Sequence, residues 1–394
     1  MRRILHVTSG GITGSLARNA YNLSVGLSNR FESCFLCDGK FYTDSLAFRD
    51  GFSRDKGPAV RSPTFQQMSA VRRRISGLRK DFDILLFHSQ RYYLFASDPR
   101  KDIIIVPDVF PYGLGRVKPS LWLGEWVGID KLIRNVALAY NLYRFRSGRF
   151  KMVSHSDFTK SELVRIVGID PANVSVIPYP VPTNHGLTSY PPDFSKRECR
   201  TALGLPEESM IVLSIGADLP RKNMAALYYL INHLKANTLV VRVGPLNLAR
   251  IKGESRPHVK HIPIASDHDL MRLYRAADVL YFPSFAEGFG VPLLEAMQMG
   301  LPVVSSTSTS IPEVLGDAGL LSPPSDYVAL TRCVEEILAS PETQERLRRC
   351  GYARASMLSL ERSIREFGDI FEAQLLGDGS RSVGKSNSSP WVFG

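Results

Sequence analysis

Short runs of apolar and β-branched residues alternate along the chain with longer segments of helical periodicity. The pattern predicts strands at Arg3–Thr8, Glu32–Cys37, Ile84–His88, Ile103–Pro107, Lys151–Ser154, Val174–Pro178, Met210–Ile215, Leu239–Val243, Lys260–Ile264, Val279–Phe282, Pro302–Ser305 and Ala318–Leu321. It predicts helices between them, among them Ser15–Leu27, Lys131–Phe145, Ser161–Val167, Met224–Leu234, Leu270–Ala277 and Pro292–Met299. Because strand–helix alternation is typical of parallel sheets with crossover helices, we expect an α/β fold with two doubly wound, Rossmann-like domains.

A proline-rich stretch from Ile177 to Pro192 divides the two series of strands. We therefore predict an N-terminal domain over residues 1–185 and a C-terminal domain over 193–376, whose last helix is a candidate to cross back to the N-terminal domain. Residues 377–394 are rich in Gly and Ser, which predicts a disordered tail. In doubly wound sheets ligands bind outside the carboxyl ends of the strands, so two facing domains predict a central cleft.

Composition narrows the class of protein further. The chain has 394 residues, 44% of them hydrophobic and 22% charged, which excludes disordered and collagen-like proteins. Its net charge of +11 is uneven: residues 1–190 carry 27 basic and 15 acidic side chains, against 22 and 23 in the remainder. This excess predicts an anionic partner for the N-terminal half. No apolar run is long enough to span a bilayer, and five scattered cysteines favour the reducing cytoplasm.

A glycine-rich turn follows the first predicted strand, with Gly10, Gly11 and Gly14 before Ser15. Backbone amides at such a turn can approach a phosphate at a helix N-terminus. The spacing is GGxxG rather than the dinucleotide pattern GxGxxG, so nicotinamide binding has little support. A phosphate loop and a simple tight turn both remain open.

The stretch from Phe282 to Met297 carries two carboxylates, Glu287 on a loop and Glu295 about one turn into a helix. Gly288 and Gly290 expose backbone amides, and the positive end of the helix dipole points the same way. Amides and a dipole suit a phosphate, whereas carboxylates suit hydroxyl groups. A nucleotide sugar offers both.

A basic pair, Arg221 and Lys222, follows the first strand of the second series. Charge-assisted contacts from these side chains can neutralise a diphosphate without a metal ion. Opposite the glutamate loop, they form a candidate clamp for a leaving group.

These residues resemble the retaining GT-B glycosyltransferases of family 4. The resemblance rests on the E-x7-E spacing within EGFGVPLLEA, on Arg221-Lys222-Asn223, and on SDFTKSELVRIVG and LPVVSSTSTSIPEVLG. It implies that Glu295 binds the donor ribose, that Glu287 and the Gly288–Gly290 amides bind the sugar and phosphate, and that the basic pair binds the diphosphate. The donor-binding residues that it implies are Gly11, Arg221, Lys222, Glu287, Gly288, Phe289, Gly290, Val291, Leu294 and Glu295. The catalytic candidates are Glu287, Lys222, Arg221 and Asp108.

Two positions depart from the family pattern. Ala217 stands where an arginine often follows the glycine, so the diphosphate would depend more on Arg221 and Lys222. The histidine that often ends the fifth strand is missing, which makes Asp108 our candidate for contacting the transferred sugar. His88 is the alternative, although a buried structural histidine is expected there.

No enzymic nucleophile is evident, so retention suggests that the acceptor hydroxyl attacks on the face from which the diphosphate leaves. That scheme needs neither metal nor cofactor, and the donor is a substrate, a UDP- or GDP-sugar. Asp81-Phe82-Asp83 spells DxD but precedes a strand of the first series, and we interpret it as a turn. Cys34 and Cys37 form a lone CxxC, which we assign to packing.

The basic N-terminal half predicts a glycan or lipid-linked acceptor and peripheral contact with an anionic membrane. The relevant cations and tryptophans are Arg72, Arg73, Arg74, Arg79, Lys80, Trp122, Trp126, Lys131, Arg134, Arg144, Arg146, Arg149 and Lys151. A solvated helix with buried aromatics remains the alternative. A sugar-nucleotide epimerase or a phosphorylase is an alternative function. Nucleic-acid binding is disfavoured because no such module is recognisable and the two glutamates would have no role.

Overall fold

The structure, a computed structural model, describes residues 1–9, 15–54, 65–108, 140, 143–146, 150–181, 195–234 and 237–377. The glycine-rich turn at 10–14, most of the predicted helix 131–145, most of the proline-rich stretch and the predicted tail from 378 lie outside these residues. The described residues form two compact units. The N-terminal unit contains those up to Val181 together with those from Ser359 onward, and the C-terminal unit contains Ser195–Leu358.

The strands are β1 (Arg2–Thr8), β2 (Phe31–Cys37), β3 (Lys40–Tyr42), β4 (Ile84–Phe87), β5 (Asp102–Val106), β6 (Lys151–Ser154), β7 (Val174–Val176), β8 (Met210–Ile215), β9 (Thr238–Val243), β10 (Val259–Ile262), β11 (Val279–Phe282), β12 (Val303–Ser306) and β13 (Gly319–Ser322). The α-helices are α1 (Ser15–Gly26), α2 (Ser45–Arg54), α3 (Phe65–Leu78), α4 (Asp157–Glu162), α5 (Lys196–Ala202), α6 (Met224–His233), α7 (Asp267–Ala276), α8 (Val291–Gln298), α9 (Ile311–Leu315), α10 (Tyr327–Ala339), α11 (Pro341–Met357) and α12 (Leu360–Leu375). Each predicted strand overlaps one of these strands.

Each unit is built on one twisted sheet with crossover helices. The strand order is β3-β2-β1-β4-β5-β6-β7 in the N-terminal unit and β10-β9-β8-β11-β12-β13 in the C-terminal unit. Every pairing is parallel except that of β2 with β3. The prediction of two Rossmann-like α/β domains is confirmed.

The sequence pattern missed the short strand β3. It pairs antiparallel with β2, with Cys37 opposite Lys40. The two residues between them, Asp38 and Gly39, both have positive φ, at 46° and 86°. Asp-Gly at these positions is the ordinary signal for a tight hairpin turn, so the chain did contain the information.

The predicted helix Ser161–Val167 begins earlier and changes its form. Ser156 caps α4 by accepting the backbone N–H of Thr159, and a π-helical turn over Leu163–Val167 continues it. The turn ends at Gly168, whose φ of 73° is left-handed. A serine directly before the first helical residue is a helix start signal that hydrophobic periodicity does not include.

The final helix, α12, packs on the sheet of the N-terminal unit. Phe367 and Phe371 lie in one apolar cluster with residues of β1, β4, β5 and β6. The rings of Phe31 and Phe371 meet edge to face with centroids 5.7 Å apart. The Ser363 hydroxyl donates to the carbonyl of Pro178 at 3.0 Å. The C-terminal end of the described chain therefore completes the core of the N-terminal unit.

We expect Phe371→Ala to destabilise the N-terminal unit by about 3–5 kcal/mol, because it removes a buried ring and leaves a cavity. Urea denaturation combined with hydrogen–deuterium exchange would measure the loss and locate it to β1 and β4. Leu376→Ala is the matched control, since Leu376 is 71% exposed. Equal protection of β1 in the Phe371→Ala and Leu376→Ala variants would contradict this role for α12.

Candidate functional site

Two loops of the C-terminal unit meet where its strand order reverses. From β8 the chain proceeds outward to β9 and β10, and it then returns to place β11 on the other side of β8. Leu213 of β8 is paired in register with Leu280 of β11. The loops that follow these neighbouring parallel strands therefore emerge side by side, at the position where open α/β sheets bind ligands.

Asn223 fastens the first loop to the second. It has a left-handed φ of 54°, and its side-chain NH2 donates to the carbonyls of Pro283 and Pro324 at 3.0 and 2.7 Å. The backbone N–H of Phe285 donates to the carbonyl of Arg221 at 2.7 Å. The turn Pro220–Lys222 is thus held against the segment that leads to Glu287.

A charged cluster forms between these loops. Nη1 of Arg221 lies 2.9 Å from Oε2 of Glu287, and Nζ of Lys222 lies 2.6 Å from Oε1. Glu287 is only 5% exposed, and the Lys222 ammonium lies 4.6 Å from the centre of the Phe282 ring. Burial disfavours ionisation of Glu287, but the charges of Lys222 and Arg221 outweigh it and hold its pKa below the ordinary value. The structure therefore brings together three residues that sequence reasoning had identified on two separate loops.

The loop after β12 supports Glu287 from a third direction. The backbone N–H of Glu287 donates to Oγ1 of Thr309 at 2.9 Å, and the hydroxyl of Ser310 donates to the Glu287 carbonyl at 2.8 Å. Thr309 has a left-handed φ of 55°, a conformation that a β-branched residue rarely adopts. Sequence reasoning missed both residues, because these contacts join positions 22 and 23 residues apart and no local pattern indicates them.

The remaining donor-loop candidates surround the start of α8. Gly290 precedes the helix with a φ of 92°, and a Cβ there would lie 2.9 Å from Cδ1 of Leu293. Pro292 occupies the first turn, where a missing N–H is tolerated. Gly288, Phe289 and Leu294 are buried and Val291 is partly exposed.

Glu295 is buried within α8 and receives a hydrogen bond from Tyr274 of α7. The Tyr274 hydroxyl donates to Oε2 of Glu295 at 2.6 Å, and both side chains are almost fully buried. Sequence reasoning predicted Glu295 as a site residue and missed Tyr274. Because the tyrosine occupies an apolar position of its helix, periodicity assigns it to the core and says nothing about its hydroxyl.

The other candidates belong to the N-terminal unit or lie outside the described residues. Asp108 is partly buried, two residues beyond β5. His88 follows β4, is fully buried, and has Nε2 3.0 Å from Nδ1 of His6. Burial lowers the pKa of His88 well below its ordinary value, so its imidazole is neutral. Gly11 lies outside the described residues.

Two motifs singled out in the sequence belong to the N-terminal unit. Cys34 and Cys37 lie in β2 and are buried, and all five cysteines are free. Asp81 ends a 3-10 turn that begins at Arg79, and Asp83 accepts the backbone N–H of Arg3 at 2.8 Å. Within the described ranges, no group of three or more His, Cys, Asp or Glu side chains is arranged to hold a metal ion.

We expect Tyr274→Phe to lower the free energy of unfolding of the C-terminal unit by about 1.5–3 kcal/mol, because it removes a hydrogen bond to a buried carboxylate. Chemical denaturation would measure the change. Tyr281→Phe is the matched control, since that buried hydroxyl donates only to a neutral carbonyl at 3.4 Å. If the two variants lose similar free energy of unfolding, the hydrogen bond to Glu295 stabilises the unit no more than a bond to a neutral carbonyl does.

Comparison with known proteins places the site within a matched region. Residues 195–354 match the family model described as Glycosyl transferases group 1. The Escherichia coli O-antigen chain mannosyltransferase B is 32% identical over 221 residues, which are 52% of this chain and 56% of that protein. The chain spans about half, or less, of the length of the curated relatives it matches.

Solved structures match almost the whole chain. Anabaena HepE, crystallised with UDP and glucose, aligns with a TM-score of 0.71 and 18% identity over 95% of this chain and 100% of that one. WaaG, a glycosyltransferase involved in lipopolysaccharide biosynthesis, aligns with a TM-score of 0.69 and 18% identity over 94% and 99% of the two chains. The chain thus has the two-domain α/β fold of GT-B glycosyltransferases, and residues 195–354 correspond to the glycosyl transferases group 1 domain.

Proposed function

We propose that the protein is a retaining glycosyltransferase that moves a hexosyl group from a nucleoside diphosphate sugar to a saccharide or lipid-linked glycan. The observation that carries the proposal is the cluster of Arg221, Lys222 and Glu287 at the strand-order reversal of the C-terminal unit. Two cations and a carboxylate, adjacent to the start of α8, match a ligand that carries phosphates and hydroxyl groups.

Each residue takes a role that follows from its chemistry. Arg221 and Lys222 bind the diphosphate, and Glu287 accepts hydrogen bonds from hydroxyls of the sugar. Glu295 binds the ribose hydroxyls, while Gly11 and the amides of the loop before α8 face the phosphates. Asp108 contacts the transferred sugar from the N-terminal unit. Mannose is the sugar to test first, because a relative with 32% identity is named as a mannosyltransferase.

The reaction depends on positive charge that is held in place before the donor arrives. The acceptor hydroxyl attacks the anomeric carbon on the face from which the diphosphate departs, and the leaving phosphate oxygen takes the acceptor proton. An oxocarbenium-like transition state places growing negative charge on the diphosphate, where Arg221 and Lys222 stabilise it. Since Glu287 already orders both cations, little reorganisation is needed at that moment. This scheme uses no metal ion.

We expect Lys222→Ala and Glu287→Gln each to reduce sugar transfer by at least about a hundredfold, because each removes electrostatic or positioning contacts at the reacting group. Incubation with GDP-mannose, UDP-glucose and related donors, followed by product analysis, would measure transfer and slow donor hydrolysis. Wild-type activity should survive EDTA. Loss of activity with the chelator, restored by a divalent cation, would contradict the metal-free scheme.

Thermal shift with nucleotides separates this proposal from other functions. Stabilisation of the wild-type protein by UDP, GDP or ADP is expected, and a short oligonucleotide should have no effect.

Lys252→Gln is a suitable control for the activity assay, because it removes an exposed cation of the same unit. A product in which only the donor sugar is altered, with no acceptor joined, would favour an epimerase instead.

We also propose that the N-terminal unit contacts an anionic membrane surface from the cytoplasmic side. Arg72, Arg73 and Arg74 are exposed on α3, and clustered cations add about 1 kcal/mol each near anionic lipid. Arg79 does not belong to this patch, since it pairs with the buried carboxylate of Asp102 at 2.5 Å. Of the tryptophan-bearing segment, Trp122, Trp126, Lys131, Arg134 and Arg149 lie outside the described residues. None of the helices in the described ranges has the length and hydropathy that crossing a bilayer requires.

Replacement of Arg72, Arg73 and Arg74 by Gln should reduce co-sedimentation with vesicles of anionic lipid by about tenfold or more at low salt. The matched control replaces three exposed arginines of the C-terminal unit, Arg332, Arg346 and Arg349. Sedimentation that is independent of anionic lipid, or equal losses in the two triple variants, would contradict a membrane surface centred on α3.

A further inference from the structure

One buried cation near the charged cluster forms no ion pair with any carboxylate that the structure describes. Arg242 lies near the carboxyl end of β9, the second strand from one edge of the C-terminal sheet, and is 2% exposed. Its Nη1 donates to Oγ of Ser214 at 3.1 Å, its Nη2 to the carbonyl of Gly216 at 2.6 Å, and its Nε to the carbonyl of Pro245 at 3.3 Å. All three acceptors are neutral.

This arrangement differs from that of other shielded arginines in the chain. Arg200 pairs with the buried carboxylate of Asp278 at 2.9 Å, and Arg79 pairs with Asp102. The carboxylate that raises the pKa of Arg242 belongs to Asp218, which is exposed. The structure shows no ion pair between this carboxylate and the guanidinium. Burial lowers the pKa of Arg242 to about 10. Burying a charge without an ion-pair partner lowers the free energy of unfolding. We therefore looked for a contribution of Arg242 to ligand binding.

Arg242 lies beneath the loop that leads to the basic pair. Ser214 and Arg242 are paired in register, and Gly216 is the first residue after β8. A Cβ on Gly244, which follows β9, would lie 2.1 Å from the Gly216 carbonyl oxygen, so the two loops touch. A Cβ on Gly216 would lie 3.7 Å from Cε of Lys222. The guanidinium and the Lys222 side chain therefore approach the same glycine.

The charges of this region fit those of a diphosphate. Glu287 neutralises one of the two charges of Arg221 and Lys222, which leaves one positive charge at the surface of the cluster. Arg242 adds a second positive charge that forms no ion pair among the described residues, and the exposed Asp218 acts on it only from a distance. The diphosphate of a nucleotide sugar carries two negative charges.

We propose that Arg242 is a positioning residue for the diphosphate: it holds the Gly216 carbonyl, orders the loop before Arg221, and supplies a second, buried positive charge that forms no ion pair among the described residues. The inference rests on the proposed function, because it assumes a nucleoside diphosphate at this site. Arg242 would act on the ligand in two ways, through its charge and through the loop that it orders before Arg221. Both effects should change binding of the phosphates and leave binding of the base and ribose unchanged.

The test is calorimetric binding of UDP and GDP, with uridine and guanosine as uncharged probes. Arg242→Gln should weaken binding of the diphosphate by about tenfold and change nucleoside binding by less than about twofold, because only the phosphates carry charge. Arg242→Lys should restore most of the affinity for the diphosphate. Affinity of the Arg242→Gln variant should also depend less steeply on salt concentration than that of the wild type. Lys252→Gln controls for net charge and should bind as the wild type does.

The outcomes distinguish the inference from the proposed function. If the wild-type protein binds neither diphosphate, the proposed function fails and the inference fails with it. If it binds one of them and Arg242→Gln binds equally well, only the inference fails. Equal weakening of nucleoside and diphosphate, or failure of both Arg242→Gln and Arg242→Lys to fold, would make Arg242 structural and would also overturn the inference.

Discussion

The candidate site depends on two ion pairs, which join the carboxylate of Glu287 to Arg221 and Lys222. This carboxylate is buried, so its cations must be supplied at short range and in a fixed direction. The sheet meets that requirement by placing β11 beside β8, so that the loops after these strands meet. Thr309 and Ser310, from the loop after β12, then hold the backbone of the glutamate. Three neighbouring strands thus position one carboxylate.

Burial matters more to this site than the number of charges. The N-terminal half of the sequence carries the net positive charge, while the C-terminal half is almost neutral. The cations of the described site nevertheless lie in the C-terminal unit. Lys222 and Arg242 are shielded from water. A shielded charge acts more strongly on its neighbours than an exposed charge does, because the effective dielectric constant is lower. Net charge therefore does not locate this cluster, which consists of buried and partly buried charges in the nearly neutral half of the chain.

Local patterns were sufficient to predict much of this protein. Periodicity and turn residues located strands in both sheets, and the two Rossmann-like units followed from their alternation. The spacing of Glu287 and Glu295, the glycines before α8 and the adjacent Arg221 and Lys222 identified the candidate site. These features depend on neighbours within a few residues, which is the range over which secondary structure and loop chemistry are encoded.

The tertiary structure decided the partners of these side chains. Lys222 and Glu287 are 65 residues apart in the chain, and their contact exists only because β11 returns to the side of β8. Arg242 and Tyr274 occupy a strand and a helix whose patterns suggest packing alone, and their polar roles appear once Gly216 and Glu295 are placed beside them. Hydrophobic periodicity records which face of an element is buried. It does not record what a buried polar atom meets there, because that depends on strand order and on residues distant in sequence.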